Sequence, residues 1–369
     1  MATRRFKEQG EDSWFGRPLY DRVISPQHFL RALLEIIPWE RFTYKLLKLY
    51  KGKGREGRPP YEPSVILRML LLSYLYNLSE RQTEAMVNDS VSMKFFLGLA
   101  VDENGPDHST LTAFKARLIA NGREENLEQL LADIVEIAQE KGIQFGRIQV
   151  MDSVHTLANV NPAKDDKRRE NGKPPRDRDA KWGVKGKRKV RTADGQKVEV
   201  PETFYGYKAH VSLNSESGLV TSVEVTSGNA YDGHLLPKLL KRDLEQGLAV
   251  GIVSADRGYD DSDNHVLLWS KGIHSGIRLN NYRTKNKHGH TEVWLAMKET
   301  PEYALAGAVR YKVERKFGEA KEGHGLRRCR YVGVVRYQLQ AIMTAMALNL
   351  KRIVKVTMGV PFKAPALAT

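Results

Sequence analysis

Residues 147–153 read RIQVMDS and residues 249–256 read AVGIVSAD. Each is a short β run of apolar and β-branched residues that ends in a carboxylate, Asp152 in the first and Asp256 in the second. Around them, Phe204–Asn214 and Leu219–Thr226 are β runs joined by Ser215-Glu216-Ser217-Gly218, a hairpin signal. Residues 231–246 have helical periodicity, Ile273–Leu279 is a further strand, and helices at about 303–322 and 334–353 close the chain. Strands interleaved with helices in this order describe an α/β sheet domain.

Upstream of Gly142 the pattern is helical. Ser25-Pro26 is a cap and first-turn pair before Phe29, Leu30, Leu33, Leu34 and Ile37. Pro63-Ser64 open a strongly apolar helix to about residue 77, and Ser79, Ser90 and Asp107 stand where further helices would start. Glu124–Lys141 is a long amphipathic helix that Gly142 ends. The expected division is therefore an all-helical domain over 1–141 and an α/β domain over 142–369.

At 369 residues, 41% hydrophobic and 28% charged, the chain is globular rather than disordered. Its single cysteine, Cys329, cannot form an internal disulfide or a thiolate zinc cluster. The N-terminus lacks an apolar secretory core, and the longest apolar run, Val65–Leu78, is too short for a membrane span. A cytoplasmic protein is expected. The net charge of +15 is unevenly placed: residues 151–369 carry 38 Lys/Arg against 24 Asp/Glu, whereas 1–150 are nearly balanced. A field of that sign favours a polyanion, most often nucleic acid. Half of the excess lies in residues 163–200, with 14 Lys/Arg against 7 Asp/Glu. That stretch is too polar to bury and too long for an ordinary loop, so it reads as a solvated insertion or a mobile basic arm over nucleic acid.

Ligands of open α/β sheets bind at the carboxyl ends of strands. A carboxylate there needs a partner, because desolvation disfavours its charge, and Mg²⁺ is a suitable one. Either Asp alone reads as a turn residue or helix cap; the two together favour a metal site. A third acid comes from the helix carrying RYKVERKFGEAK at 310–321, where Arg310, Glu314 and Lys321 share a face. Such a face suits a metal contact bordered by phosphate contacts, although on its own it is also a solvated ion pair worth about a few tenths of a kcal/mol. Asp232 either caps its helix or stands near the metals. Lys208 and His210 project from one side of their strand, as DNA contacts or as an exposed face. Trp294, among Lys and His residues at 282–300, is a base-stacking platform or a satellite core residue. Lys45, Lys48, Lys51, Lys53, Arg55 and Arg58 form a basic cluster able to track a DNA backbone without reading sequence.

These motifs resemble the DDE transposases of bacterial insertion sequences. Arg310, Glu314 and Lys321 match the R-x3-E-x6-K part of a Y-x2-R-x3-E-x6-K signature, with Gly307 where its Tyr would fall. GYKAH at 206–210, VTSGN at 225–229 followed by Asp232, and ADRGYD at 255–260 fit in order, as does the stretch from HGL at 324–326 through Arg330-Tyr331 to Asn349-Leu350. GRPPY at 57–61, FFLGL at 95–99 and DHSTL at 107–111 resemble the helical domain that precedes such catalytic domains. The resemblance implies an RNase H-like mixed sheet with flanking helices holding Asp152, Asp256 and Glu314 around two Mg²⁺ ions, for which Mn²⁺ can substitute. It implies cleavage at the element's ends and joining of the 3′-OH to target DNA. It also implies a homodimer or higher multimer on terminal inverted repeats in the bacterial nucleoid. Expected DNA contacts are Arg310, Lys321, Lys208, His210, Arg257, Lys185, Lys187 and Arg188. An RNase H-like nuclease without strand transfer and an inactive DNA-binding descendant remain alternatives.

Overall fold

The computed structural model describes residues 6–7, 10, 16–50, 59–120, 125–191, 195–280 and 292–363. The chain divides into two compact units, residues 1–143 with 346–369, and residues 144–345. Residues 346–363, expected with the sheet, thus group with the helices instead. None of the described helices is long and apolar enough to cross a membrane.

The first unit contains α1 (Gly16–Val23), α2 (Phe29–Ile36), α3 (Trp39–Leu46), α4 (Pro63–Leu75), α5 (Glu80–Asp89), α6 (Val91–Leu97), α7 (His108–Leu118) and α8 (Glu125–Glu140). Helix α4 is apolar nearly all round and every residue in it is buried, as a central helix must be. Its Arg68 stays inside by donating to the carbonyls of Phe96 and Leu97, 2.7 and 3.4 Å away. Ser79 and Gln82 form a capping box on α5, and Asp107 caps α7. Helix α2 starts later than Ser25-Pro26 would place it, at Phe29 with His28 as cap. Lys45 is not a free cation here: it pairs with Asp133, which is fully buried on α8. Lys51, Lys53, Arg55 and Arg58 of the expected basic cluster lie outside the described residues.

The second unit is built on six strands, β1 (Ile148–Leu157), β2 (Lys181–Arg191), β3 (Lys197–Asn214), β4 (Val220–Ser227), β5 (Ile252–Ala255) and β6 (His274–Ile277). Strand β3 pairs antiparallel with β1 on one edge. Its other edge carries β2 along residues 197–206 and β4 along residues 207–213. Beyond β1 the sheet continues parallel through β5 to β6. The order β4-β3-β1-β5-β6, three antiparallel strands followed by two parallel ones, is the RNase H-like arrangement. Helices α9 (Pro162–Glu170), α10 (Leu236–Glu245), α11 (Ser262–Ser270), α12 (Glu292–Met297), α13 (Pro301–Val309), α14 (Tyr311–Gly323) and α15 (Val334–Met358) complete the described elements. Leu236, Leu239 and Leu240 of α10 and Leu268 of α11 pack under Met151, Val253 and Ala255 in one apolar cluster.

The basic stretch 163–200 is mostly exposed, as a solvated insertion would be, but its described residues form regular elements rather than a loop. It folds as α9, a connecting turn and the β2–β3 hairpin. Two of its own acids make this work. Asp165, 2% exposed, accepts from the backbone N–H groups of Arg176 and Asp177. Asp177, fully buried, accepts from the N–H groups of Asp179 and Ala180 and from the Tyr207 hydroxyl at 2.6 Å. A buried carboxylate surrounded by donors tolerates burial that a bare one would not.

Candidate active site

The parallel register decides the site. Met151 of β1 lies opposite Ala255 of β5, so the next residue on each strand sets Asp152 beside Asp256. Asp152 is not at a strand end, as its sequence context suggested: β1 runs on to Leu157, paired with β3. It is the partner strand β5 that stops, at Ala255, and the gap beyond it opens the sheet beside Asp152. Because Met151 enters the cluster under α10 and α11, alternation turns Asp152 to the opposite face.

Among the described residues each aspartate accepts from a single backbone donor, Ser153 N–H at 2.8 Å for Asp152 and Gly258 N–H at 2.8 Å for Asp256. Burial, reinforced by the charge of Asp256, pushes the Asp152 carboxyl up to about 7. Asp256 is also raised, by burial first and then by Asp232, against the opposing pull of its Gly258 bond, Arg310 and Lys208. Asp232 therefore belongs to the site. It begins the short helical turn Asp232–Leu235, but makes no cap there, since Tyr231 holds the cap position without a side-chain bond. Its two oxygens instead take Lys208 Nζ at 2.7 Å and Ser153 Oγ at 2.8 Å. Gly258 is where two of the acids converge: a Cβ added there would lie 2.9 Å from an Asp256 oxygen and 3.4 Å from an Asp232 oxygen.

Arg310 sits at the junction between α13 and α14, splitting the single helix expected over 303–322. Its Nη2 lies 3.9 Å from Asp152 Oδ2 and 3.9 Å from Glu314 Oε1. Glu314 and Asp152 thus face one guanidinium, but the Glu314 side chain is 62% exposed while that of Asp152 is 13% exposed. Further along α14, burial lowers the Lys321 pKa, helped by the nearby charges of Lys185 and Arg327. His155, lowered to about 4 by burial and then by Lys321 and Lys185, faces the same cationic patch as a neutral ring.

The other expected contacts divide. Arg257 is exposed beside Asp256, and Lys187 and Arg188 are exposed along the hairpin. Lys185 pairs with Glu202 at 2.9 Å. Lys208 is held by Asp232 and by the Ala230 carbonyl at 2.9 Å. His210 is a correction: it is fully buried, bonded through Nε2 to Thr226 at 2.9 Å, and therefore cannot touch DNA. Burial lowers its pKa to about 4, so it is a neutral ring under the site. Trp294 stacks on His265 with ring centroids 4.8 Å apart, the satellite packing that was one of its two readings. Asp261 caps α11, while Asp260 is buried against His265 at 3.0 Å. Ser153 and Gly258 carried no sequence signal beyond adjacency to the two aspartates.

Oxygen donors without thiolate or imidazole suit a hard divalent cation, and two raised carboxylates side by side are relieved by one. In chemistry the donors fit. Among the described residues, however, no group of three or more His, Cys, Asp and Glu side chains is placed to hold a metal. With Glu314 turned toward solvent, Asp152 and Asp256 form the ready part of the set.

Two family models match the chain. A transposase domain model (DUF772) matches residues 18–117, and the transposase DDE domain model matches residues 162–350, half of the chain. The chain belongs to the DDE transposases. Among solved structures, this transposase is similar to a piggyBac transposase synaptic complex with hairpin DNA at 10% identity, with 92% of this chain and 77% of that chain covered and a TM-score of 0.40. It is similar to a Mos1 transposase paired-end complex with the left transposon end at 11% identity, covering 77% and 85% of the two chains with a TM-score of 0.20. A Mos1 mariner paired-end complex with Mn aligns at 12% identity over 77% and 86%, with a TM-score of 0.18. The strand order of this DDE transposase is that of the RNase H-like fold.

Proposed function

We propose that this transposase cleaves the ends of its insertion sequence and joins the resulting 3′-OH ends to target DNA. The observation that carries the reading is the pairing of Asp152 and Asp256 on adjacent parallel strands, each with unspent oxygens and a raised pKa. Asp152, Asp256 and, once swung inward, Glu314 would hold two Mg²⁺ ions, with Mn²⁺ a substitute. When bound, such ions activate an attacking oxygen and stabilise a leaving one.

The rest of the work is positioning and charge neutralisation, which is most of what phosphoryl transfer asks of a protein. Arg310 offers a guanidinium beside Asp152, where a scissile phosphate would replace carboxylate as its partner. Lys321 and Lys185 lie close to one another beside α14, suited to the neighbouring backbone phosphates. Arg257 and the exposed Lys187 and Arg188 extend this cationic surface away from the acids. In the first step water attacks the phosphorus, the bond to the 3′ oxygen breaks and a 3′-OH leaves. In the second step that 3′-OH attacks a target phosphodiester, the target's own bond from phosphorus to its 3′ oxygen breaks and a target 3′-OH leaves, so a single site serves both by exchanging the nucleophile. The DNA partners are terminal inverted repeats and target DNA, engaged by a homodimer or higher multimer within the bacterial nucleoid.

The deciding experiment is joining of a pre-cleaved terminal-repeat oligonucleotide into a supercoiled plasmid with Mg²⁺. Joined product that Asp152→Ala abolishes supports the reading. Cleavage without joining points to a nuclease, and end binding with neither reaction points to an inactive DNA-binding descendant.

A further inference from the structure

Asp232 has no local structural duty that would explain its place. It starts a helical turn without capping it, and it is one of three carboxylates within electrostatic reach of each other beside the sheet opening. Its two oxygens are used by two side chains that flank the aspartate pair. Ser153 is the residue after Asp152, and Lys208 stands three positions along β3 from Val211, the partner of Asp152. Lys208 is pinned a second time by the Ala230 carbonyl, so its ammonium does not wander. The side-chain exposures of Lys208 and Asp232 are both 15%, which keeps the pair from being a screened surface contact. Gly258 leaves open the point on which Asp232 and Asp256 converge.

We propose that Asp232 is a positioning residue that sets the cation affinity of the Asp152–Asp256 pair, with Lys208 as its built-in counter-charge. The inference rests on reading that pair as the cation-holding group. The negative charge of Asp232 adds to the field that draws a divalent ion to the pair, and Lys208 partly cancels it. The two residues therefore act with opposite sign on the ion although they hold each other in place. A purely structural ion pair would behave differently, because removal of either partner would loosen the site in the same direction.

The test is Mn²⁺ titration of the full chain without DNA, followed by calorimetry, with circular dichroism to check folding. Asp232→Asn is expected to weaken Mn²⁺ binding about tenfold or more, the scale of one charge lost at short range in a partly buried site. Lys208→Met is expected to tighten it by about threefold to tenfold, since the same Coulomb reasoning runs in reverse. Asp256→Asn is the control for the underlying reading and should abolish binding. If Asp256→Asn abolishes binding while Asp232→Asn titrates like the unmodified chain, the role given to Asp232 is wrong and the acid pair stands. Weakening by both Asp232→Asn and Lys208→Met also overturns it, in favour of a structural pair. If Asp256→Asn binds Mn²⁺ like the unmodified chain, the acid-pair reading falls and takes this proposal with it. Should Asp232→Asn not fold, Lys208→Met decides alone: tighter binding supports the proposal, and unchanged or weaker binding overturns it.

Discussion

Two pairs of aspartates in the sheet unit have opposite fates. Asp165 and Asp177, in the basic stretch, are almost completely buried and accept from four backbone N–H groups between them, with the Tyr207 hydroxyl as a further donor. Asp152 and Asp256 are partly buried, have one backbone donor each, and lie next to each other with raised pKa values. The first pair spends its lone pairs on the fold. The second keeps them, at a cost in stability that a bound cation would offset. Counting hydrogen-bond donors around a buried carboxylate thus separates the two pairs more sharply than burial does.

This contrast can be broken by experiment. Asp256→Asn should lower cleavage by about 10³-fold or more, the effect of losing several kcal/mol of transition-state charge stabilisation. Its melting temperature should stay level or rise, because a repulsive neighbour of Asp152 is gone; a drop would show that Asp256 is structural after all. Asp177→Ala should do the reverse, costing about 3–5 kcal/mol in urea unfolding by stranding buried donors. If that variant unfolds like the parent chain, the distinction between the two pairs fails.

Glu314 stands between these classes, exposed and tied to Arg310. Glu314→Gln should lower strand transfer by about 10²-fold while changing Mn²⁺ affinity without DNA by less than about twofold, since only an interaction made in the transition state is lost. Equal loss of both would mean that Glu314 already holds the ion before DNA arrives.

A sixth carboxylate makes the smallest test. Asp243 is fully buried against Ser212 at 2.5 Å, and burial raises its pKa to about 6. An acid raised in the folded state binds a proton there that the unfolded chain has released. The contribution of Asp243 to stability should therefore fall as pH rises from about 4 to about 6 and stay level above, in keeping with proton linkage. Asp243→Asn should flatten that slope and raise the melting temperature at pH 8 by about 2–4 °C.

Much of this was legible from the chain. The change from helical to alternating periodicity near Gly142, the caps at Ser79 and Asp107, and the strand that ends before Asp256 are local signals, and local signals survive in a sequence. What was hidden depends on partners distant in the chain. That residues 163–200 form a helix and a hairpin was hidden because a count of charges cannot show Asp165 and Asp177 finding backbone donors. Lys208 and His210 were rightly placed on one side of a strand, yet nothing local says that this side meets Asp232 and Thr226 rather than solvent. Arg310 breaks an otherwise continuous helical pattern at no residue with a propensity to break it.

Strand β3 has a mechanical meaning beyond pairing. It runs unbroken from Lys197 to Asn214, with the cationic hairpin at one end and Lys208 near its middle. Eighteen residues of extended chain span about 60 Å at the rise of a β-strand. Where the hairpin leaves the sheet, β1 pairs no further than Gly206, and the β2–β3 ladder carries a bulge between Val184 and Gly186. A bulge bends its strand and strengthens the local twist, so the position of this one in the ladder sets the direction in which the cationic hairpin leaves the sheet.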